Sequence, residues 1–265
     1  MKNVHFSRRM LAIPYALYLI AFVVLPVCVL FYYAFTDSSG AFTFANLVNF
    51  FTNPNTTGTL CYSFAVSFVT TAVCLLIAYP VAYILAFGNL KNVSMWLLIF
   101  IMPMWINFTL RVTALKEVLT FFEGNLAYYP FLNTIIGMTY DFLPFMILPI
   151  FSTLSNIDRA CIEAARDLGS DGVHAFLQVT LPLSMPGIIS GVMMVFLPSM
   201  TNYVILDMLY NSTYIMGSLI GSYFHAYNWN GGSMIALILL AIISVVTLLT
   251  RGSDDETAQG GGALL

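Results

Sequence analysis

Long apolar segments dominate the pattern of hydrophobic and polar positions along this chain of 265 residues. Six runs of mostly apolar residues alternate with short polar stretches. A helix that crosses a lipid bilayer needs about 20 such residues. The pattern therefore predicts six membrane-spanning helices, at residues 10–35, 60–89, 93–110, 131–155, 184–206 and 233–249.

Two further segments do not fit a simple span. Residues 214–227 are apolar but too short to cross, and Gly217-x-x-x-Gly221 suits a short interfacial or re-entrant helix. Residues 251–265 are polar and rich in glycine, so they are predicted to form a disordered tail. The expected organisation is one transmembrane domain, residues 1–250, followed by that tail.

The composition of the chain supports this organisation. Hydrophobic residues make up 60% of the chain and charged residues only 8%. Soluble domains carry about a quarter charged residues, so the expected fold class is an all-α integral membrane protein. The net charge of −3 and the lack of a basic tract give no indication of a nucleic-acid partner. The cysteines and histidines lack the spacing of metal ligands, so no metal site is predicted.

The distribution of basic residues predicts the orientation in the membrane. With six spans, only Arg111 and Lys116 fall on the side opposite the termini. Seven basic residues fall on the side of the termini, namely Lys2, Arg8, Arg9, Lys91, Arg159, Arg166 and Arg251. By the positive-inside rule both termini and the loop at residues 156–182 are cytoplasmic, in a multi-pass protein of the cell membrane.

The cytoplasmic loop is predicted to contain two short helices. Apolar residues recur at helical spacing through residues 156–168, namely Ile157, Cys161, Ala164, Ala165 and Leu168. Gly169 follows the last of them and is expected to stop the helix, because glycine adopts the left-handed conformation without steric cost. A second short helix follows, and Leu181-Pro182 is expected to end it and return the chain to the membrane.

The spacing of residues in this loop resembles that of a known family. The residues that form the pattern are, in order, Glu163, Ala164 and Ala165, then Gly169, and then Leu181 and Pro182. This spacing resembles the EAA loop of ABC-importer permeases, in which Ile or a similar residue stands at the position of Val179. The resemblance implies the type I ABC importer permease fold, with six spans and a cytoplasmic coupling helix that sits in a groove on an ATPase.

The resemblance also implies a set of partners. They are a homologous second permease subunit that forms a heterodimer, a cytosolic ABC ATPase dimer and an extracytoplasmic substrate-binding protein. The lipid bilayer surrounds the permease subunits. Glu163 is expected to pair with a basic residue of the ATPase, while Ala164 and Ala165 allow close approach. The sequence has no phosphate-binding Gly-x-x-x-x-Gly-Lys-Ser/Thr loop. We therefore expect no catalytic residue or cofactor in this chain, with ATP and Mg²⁺ bound by the partner ATPase.

A second resemblance concerns the solute. Residues 102–111 are similar to the Leu-Pro-Phe-Trp-x-x-x-x-x-Arg signature of spermidine/putrescine permeases, with Met at 102 and 104 as departures and Arg111 in the final position. The usual Tyr after the Arg is replaced by Thr113. Residues 197–207, which end in Asp207, are also similar. The resemblance is closest to the first of the two permease subunits and implies polyamine transport.

Acidic and aromatic residues of the spans agree with a cationic solute. A charge inside a membrane helix costs about 2.5–3.5 kcal/mol on insertion scales and normally marks a function. No Lys or Arg lies inside a predicted span. The basic residue nearest to this condition, Arg111, falls just beyond the outer end of the third predicted span. Aromatic faces can attract ammonium groups. The candidate pathway residues are Asp207, Asp141, Trp105, Tyr203 and Asn107.

Other interpretations stay open at this point. Asp207 could instead end its helix and pair with Arg111 at the outer surface. The solute of an ABC permease could be Fe(III), sulfate, molybdate or an organic cation, although the acids disfavour an anion. An ion-coupled secondary transporter would show an internal repeat of spans, and a membrane protease would show a catalytic motif. The sequence displays neither feature.

Overall fold

The computed structural model describes residues 12–88, 90–210 and 215–260, and within these ranges the chain is helical apart from turns and one isolated bridge between Thr36 and Phe42. The helices are α1 (Ala12–Leu19), α2 (Leu25–Ala34), α3 (Ala45–Thr52), α4 (Pro54–Phe87), α5 (Val93–Trp105), α6 (Phe108–Glu123), α7 (Pro130–Ser155), α8 (Arg159–Asp167), α9 (Gly172–Ala175), α10 (Leu181–Ser199), α11 (Val204–Leu209), α12 (Met216–His225) and α13 (Trp229–Gly260).

Five helical runs are long and apolar enough to cross a membrane. They are Pro14–Ala34, Pro54–Phe87, Pro130–Ser155, Gly172–Ser199 and Trp229–Leu248. Helices α5 and α6 together pass the same test as one bent span, which brings the number among the described residues to six. The prediction of an all-α protein with six spans is confirmed.

The third span is not the straight helix predicted at residues 93–110. Its two halves, α5 and α6, meet at an angle of 97°. Helix α5 has 13 residues, and at 1.5 Å per residue it covers roughly 20 Å, less than the apolar thickness of a bilayer. At the bend Ile106 is extended, with φ −75° and ψ 144°. The side chain of Asn107 then starts α6 by accepting hydrogen bonds from the backbone N–H groups of Thr109 and Leu110, at 2.9 and 3.4 Å.

The fifth span begins earlier than predicted and has no break at Leu181-Pro182. A π-helical turn, Phe176–Thr180, joins α9 to α10, so the run from Gly172 to Ser199 is helical throughout. The Leu181 N–H donates to the carbonyl of Phe176, five residues back. A wider turn at this point suits a following proline, which has no N–H of its own to donate. The expectation that Leu181-Pro182 ends a separate loop helix is therefore wrong.

The span also ends earlier, at Ser199 rather than at residue 206. After a turn, the short helix α11 packs against α6 and α7 and buries Ile205, Leu206 and Leu209. It lies so close to α7 at Gly137 that a Cβ there would stand 2.8 Å from Leu209 and 2.9 Å from Ile205. Asp207 thus belongs to a separate helix and does not end the long one.

The chain divides into two compact units. Among the described residues, the larger comprises residues 59–88, 90–210, 215–218 and 243–260, and its most buried span is α7, which packs chiefly against α10. The glycines of α10 permit this contact, since a Cβ on Gly187 would lie 2.8 Å from the carbonyl oxygen of Pro149. The fully buried side chains Met146, Ile147 and Ile150 lie in the core of this unit.

Among the described residues, the smaller unit comprises residues 12–58 and 219–242. Its loop after α2 is held by two asparagine side chains. Asn46 donates to the carbonyls of Ala34 and Thr36, each at 2.9 Å, and Asn230 donates to the carbonyl of Thr36 at 2.6 Å. The first span, Pro14–Ala34, contains no buried residue in its most apolar stretch.

Of the last two helices, α12 agrees with the sequence-based expectation and α13 differs from it. Helix α12 occupies the region of the predicted short helix, although residues 211–214 lie outside the described residues. Helix α13 begins at Trp229 and continues to Gly260, past the predicted span end at residue 249. Its last residues fall in the segment predicted as a disordered tail, and residues 261–265 lie outside the described part of the chain.

Candidate functional site

Helix α8 carries the first half of the EAA-like segment and has defined ends. Asp158 caps its start by accepting a hydrogen bond from the Ala160 N–H at 3.0 Å, which explains why the helix begins at Arg159 and not at residue 156 as predicted. At its end the Gly169 N–H donates to Arg166, and the Ser170 N–H donates to Ala165. These two bonds and a φ of 92° at Gly169 form a Schellman cap.

Three of the five residues in the apolar stripe of the loop are left uncovered by the rest of the described chain. Ile157, just before the helix, packs on the core, and Ala165 is half-buried. Cys161 and Ala164 are exposed, and Leu168 is 89% exposed. Helix α8 has no buried residue at all. An apolar stripe that its own protein leaves uncovered is available to another surface.

The polar face of α8 lies against the end of α4. Arg159, Ile162, Glu163 and Arg166 line a cavity of about 170 Å³ together with Tyr83 and Phe87. Arg159 donates to the carbonyl of Ala86 at 3.3 Å. Among the described residues, Glu163 has no ion-pair partner, and its side chain is exposed. The pairing of Glu163 with a basic residue of a partner stays a prediction.

In the second half of the loop, Asp171 caps the start of helix α9. Its Oδ1 accepts a hydrogen bond from the His174 backbone N–H at 2.7 Å and lies 2.8 Å from His174 Nδ1. These bonds, the backbone one first, lower the pKa of Asp171 below its usual value near 3.8. Leu181 and Pro182 lie farther on, in the first turn of α10. The structure thus separates them from the Glu163 segment, although α8 contacts the π-helical turn before them.

A buried ion pair stands at the bend of the third span. The Arg111 Nη2 in α6 donates to Asp141 Oδ1 in α7, and both side chains are only 6% exposed. Arg111 Nη1 also donates to the carbonyl of Pro103 in α5, at 2.9 Å. The guanidinium lies 5.9 Å from the centre of the Tyr140 ring, within cation–π range.

This pairing corrects one interpretation of the sequence and adds a contact that the sequence did not identify. Arg111 pairs with Asp141, so the alternative in which it pairs with Asp207 is wrong. The available signal was the single acid inside the fourth span, because an intramembrane acid needs a partner. Only two basic residues, Arg111 and Lys116, fall on the side predicted to be external, which limited the choice of a partner.

The other candidate pathway residues lie on or beside the same helices, and most of them are exposed. Trp105, at the end of α5, is 75% exposed, and Tyr203, before α11, is 40% exposed. The Asn107 side chain serves as the cap of α6. Asp207 is exposed, and its carboxylate makes no hydrogen bond or ion pair with any residue that the structure describes. Described contacts join Arg111 to Asp141 but do not join Asp207 to either.

Comparisons with known proteins agree on one family. A model of the family described as "Binding-protein-dependent transport system inner membrane component" matches residues 10–257. The chain is 32% identical over 266 residues to the spermidine/putrescine transport system permease protein PotB of Haemophilus influenzae, covering 92% of each chain. It is 30% identical over 206 residues to the protein of the same name in Escherichia coli K12, covering 72% of this chain and 75% of that one.

A solved structure shows the same fold. The chain superposes on one from a bacterial ABC transporter involved in the import of the acidic polysaccharide alginate, with a TM-score of 0.61 at 15% identity. The superposition covers 93% of this chain and 98% of that one. At this identity the likeness concerns the fold alone, which is that of an ABC importer permease of type I.

Proposed function

Because the chain belongs to the family of inner membrane components of binding-protein-dependent transport systems, we propose that the solute it helps to import is a polyamine such as spermidine or putrescine. The observation that carries this proposal is the similarity to a spermidine/putrescine permease, which extends over 92% of both chains. Family membership also confirms the resemblance drawn from the EAA-like spacing. A secondary transporter or a membrane protease would not belong to this family.

The charges of the described residues support a cationic solute. The primary amines of a polyamine, like that of a lysine, are protonated at neutral pH. The charge of Arg111 is neutralised by Asp141, so this arginine does not add an unpaired positive charge to the membrane. Asp207 presents an exposed carboxylate without a partner among the described residues. We assign Asp207 as a contact for the cation, with the exposed rings of Trp105 and Tyr203 as further contacts.

Energy for transport is proposed to enter through α8. The chain is a membrane component, and ATP with Mg²⁺ would be bound by a cytosolic ATPase dimer. The uncovered stripe formed by Cys161, Ala164 and Leu168 suits a groove on that partner. Glu163, which has no ion pair among the described residues, is free to meet a basic side chain of the ATPase. Residues Ala165 and Gly169 would set the shape and end of this coupling helix.

Two further partners belong to the proposal. The first span has no buried residue in its most apolar stretch, which supports contact with a homologous second permease subunit in the bilayer. An extracytoplasmic binding protein would deliver the solute on the outer side. The distribution of basic residues supports an orientation in which both termini and the loop that carries α8 are cytoplasmic.

The test of the substrate is an uptake experiment in the native cell. The gene is deleted and restored from a plasmid, and uptake of labelled spermidine and putrescine is measured at low concentration. Deletion should abolish saturable uptake of at least one polyamine, and the plasmid should restore it. Normal polyamine uptake in the deletion strain, with loss of uptake of Fe(III) or another organic cation, would overturn the proposed substrate while leaving the family assignment intact.

A further inference from the structure

A single buried side chain connects the helices around the bend of the third span. Arg111 lies in the first turn of α6, after the bend, but its Nη1 donates to the carbonyl of Pro103 in α5, before the bend. Its Nη2 donates to Asp141 in α7. The same guanidinium therefore ties the two halves of the third span to each other and to the fourth span.

The chemistry of this contact requires an arginine. The planar guanidinium carries several donors in a fixed fork, so it can bind two acceptors that belong to different helices. The Pro103 carbonyl also accepts the Ile106 N–H at 3.2 Å, so Arg111 binds the last closed turn of α5. Since both charged side chains are 6% exposed, the loss of either one would leave its partner charged, buried and unpaired.

The turn held in this way carries exposed side chains. Trp105 is 75% exposed and Ile106 is 54% exposed, and both lie in the turn closed by the Ile106 N–H and the Pro103 carbonyl that Arg111 binds. From this arrangement we infer that Arg111 and Asp141 are positioning residues, which hold the bend so that Trp105 is presented to the solute. Asp141 is thereby withdrawn from direct contact with the cation. The inference rests on the proposed function for the nature of the solute.

The two acids that the sequence placed in one pathway thus have different roles. Asp141 is buried and its Oδ1 accepts a hydrogen bond from Arg111, whereas Asp207 is exposed and its carboxylate has no partner among the described residues. A positioning acid acts through the residue that it holds in place. A contact acid acts on the solute directly, and its effect depends on the solute's charge.

The first experiment measures assembly without any solute. The variants Arg111→Gln, Asp141→Asn and the double variant are produced in the intact transporter, and the amount and melting temperature of the complex are measured in detergent. Each single variant should lower the yield about tenfold, and the double variant should recover to within about twofold, because no unpaired charge remains. Lys116→Gln, which removes a positive charge from the same helix, is the control and should match the wild type. A double variant as poor as the singles would overturn the inference.

The second experiment measures uptake at low solute concentration in the assembled complexes. The double variant should lower uptake about tenfold, by the same factor for putrescine and spermidine, and Trp105→Ala should do the same. The combination of the two should be at most about twofold worse than either, because both remove the same contact. Asp207→Asn should instead add its full effect to either variant and act more strongly on spermidine.

Two results of this second experiment would overturn the positioning role. One is a fully additive loss when the double variant is combined with Trp105→Ala. The other is an Asp141→Asn complex that assembles normally and loses spermidine uptake more than putrescine uptake. If the wild type does not import polyamines, the proposed substrate fails, but the recovery of assembly in the double variant still tests the pairing by itself.

Discussion

Helices α7 and α8 follow one another in the chain but differ in burial, since α7 lies in the core and α8 lies at the surface. Three residues separate Ser155 from Arg159, and 61% of the most apolar stretch of α7 is buried while α8 buries no residue. In α7 the charge of Asp141 is satisfied inside the protein, whereas in α8 Glu163 has no ion pair within the described chain. Side chains of α7 serve the fold, and those of α8 remain available to a partner.

The largest effect is expected where α7 meets α10. Gly187→Ala would place a Cβ 2.8 Å from the carbonyl oxygen of Pro149, which is backbone and cannot turn away. We expect a cost of about 1–3 kcal/mol and a clear fall in melting temperature in detergent. The matched control is Gly221→Ala in α12, where nothing lies within 4 Å. The control should be neutral or stabilise by up to about 1 kcal/mol, and equal shifts for both variants would contradict the packing argument.

Helix α8 should show the reverse behaviour, with function lost and stability kept. Leu168→Glu changes a side chain that is 89% exposed, so the melting temperature of the isolated chain should not change. Uptake and association with the ATPase should fall about tenfold, because a charge would enter an apolar contact. Leu168→Met, which keeps the apolar surface, serves as the control. Wild-type uptake in the glutamate variant would remove this stripe from the coupling surface.

The end of α8 provides a smaller and more local test. Gly169→Val forces a β-branched residue into a backbone with φ of 92°, at a cost of about 1–3 kcal/mol confined to the loop. Trypsin cleavage after Arg166 should become faster while the spans stay folded. Gly172→Val is the matched control, because Gly172 also has open space around it but no left-handed backbone. Equal cleavage of the two variants would show that the left-handed turn does not limit opening of the loop.

The smallest effect concerns the cap of α9. Hydrogen bonds from His174 lower the pKa of Asp171 in the folded loop, so they stabilise α9 above the unfolded pKa near 3.8 and this contribution is lost as pH falls through the lower folded value. Protection of the residue 172–176 amides from hydrogen exchange should therefore decrease as the pH falls below about 4. Asp171→Asn keeps a capping side chain without the titration, so its protection should not change over this range. An equal decrease in both proteins would assign the effect to another group.

Local patterns in the sequence predicted the elements that local chemistry determines. Runs of apolar residues located five spans, because length and hydropathy set them. The glycine at 169 indicated where the helix ends, because few residues other than glycine adopt the left-handed conformation that ends a helix in this way. The loop helix was predicted with only its start misplaced, because Asp158 caps it and the helix begins at Arg159, three residues after the predicted start at residue 156.

Features that depend on distant contacts could not be predicted in the same way. The bend after Trp105 is held by Arg111, whose partners Pro103 and Asp141 lie on other helices, and hydropathy contains no information about that meeting. The periodicity of α8 likewise shows that it has an apolar stripe, but it does not show whether the chain itself covers that stripe, because this depends on contacts with distant residues. The expected break at Leu181-Pro182 failed because a π-helical turn accommodates the proline without interrupting the helix.

That uninterrupted helix has a mechanical consequence. The run from Gly172 to Ser199 contains 28 residues, which at 1.5 Å each make a rod of roughly 42 Å. It contains no stretch of extended backbone. The points at which it can bend are the π-helical turn and the prolines inside α10, Pro186 and Pro198. The end beside α8 is thus joined to Ser199 by one continuous helix, and any relative motion of the two ends has to occur by bending at these points.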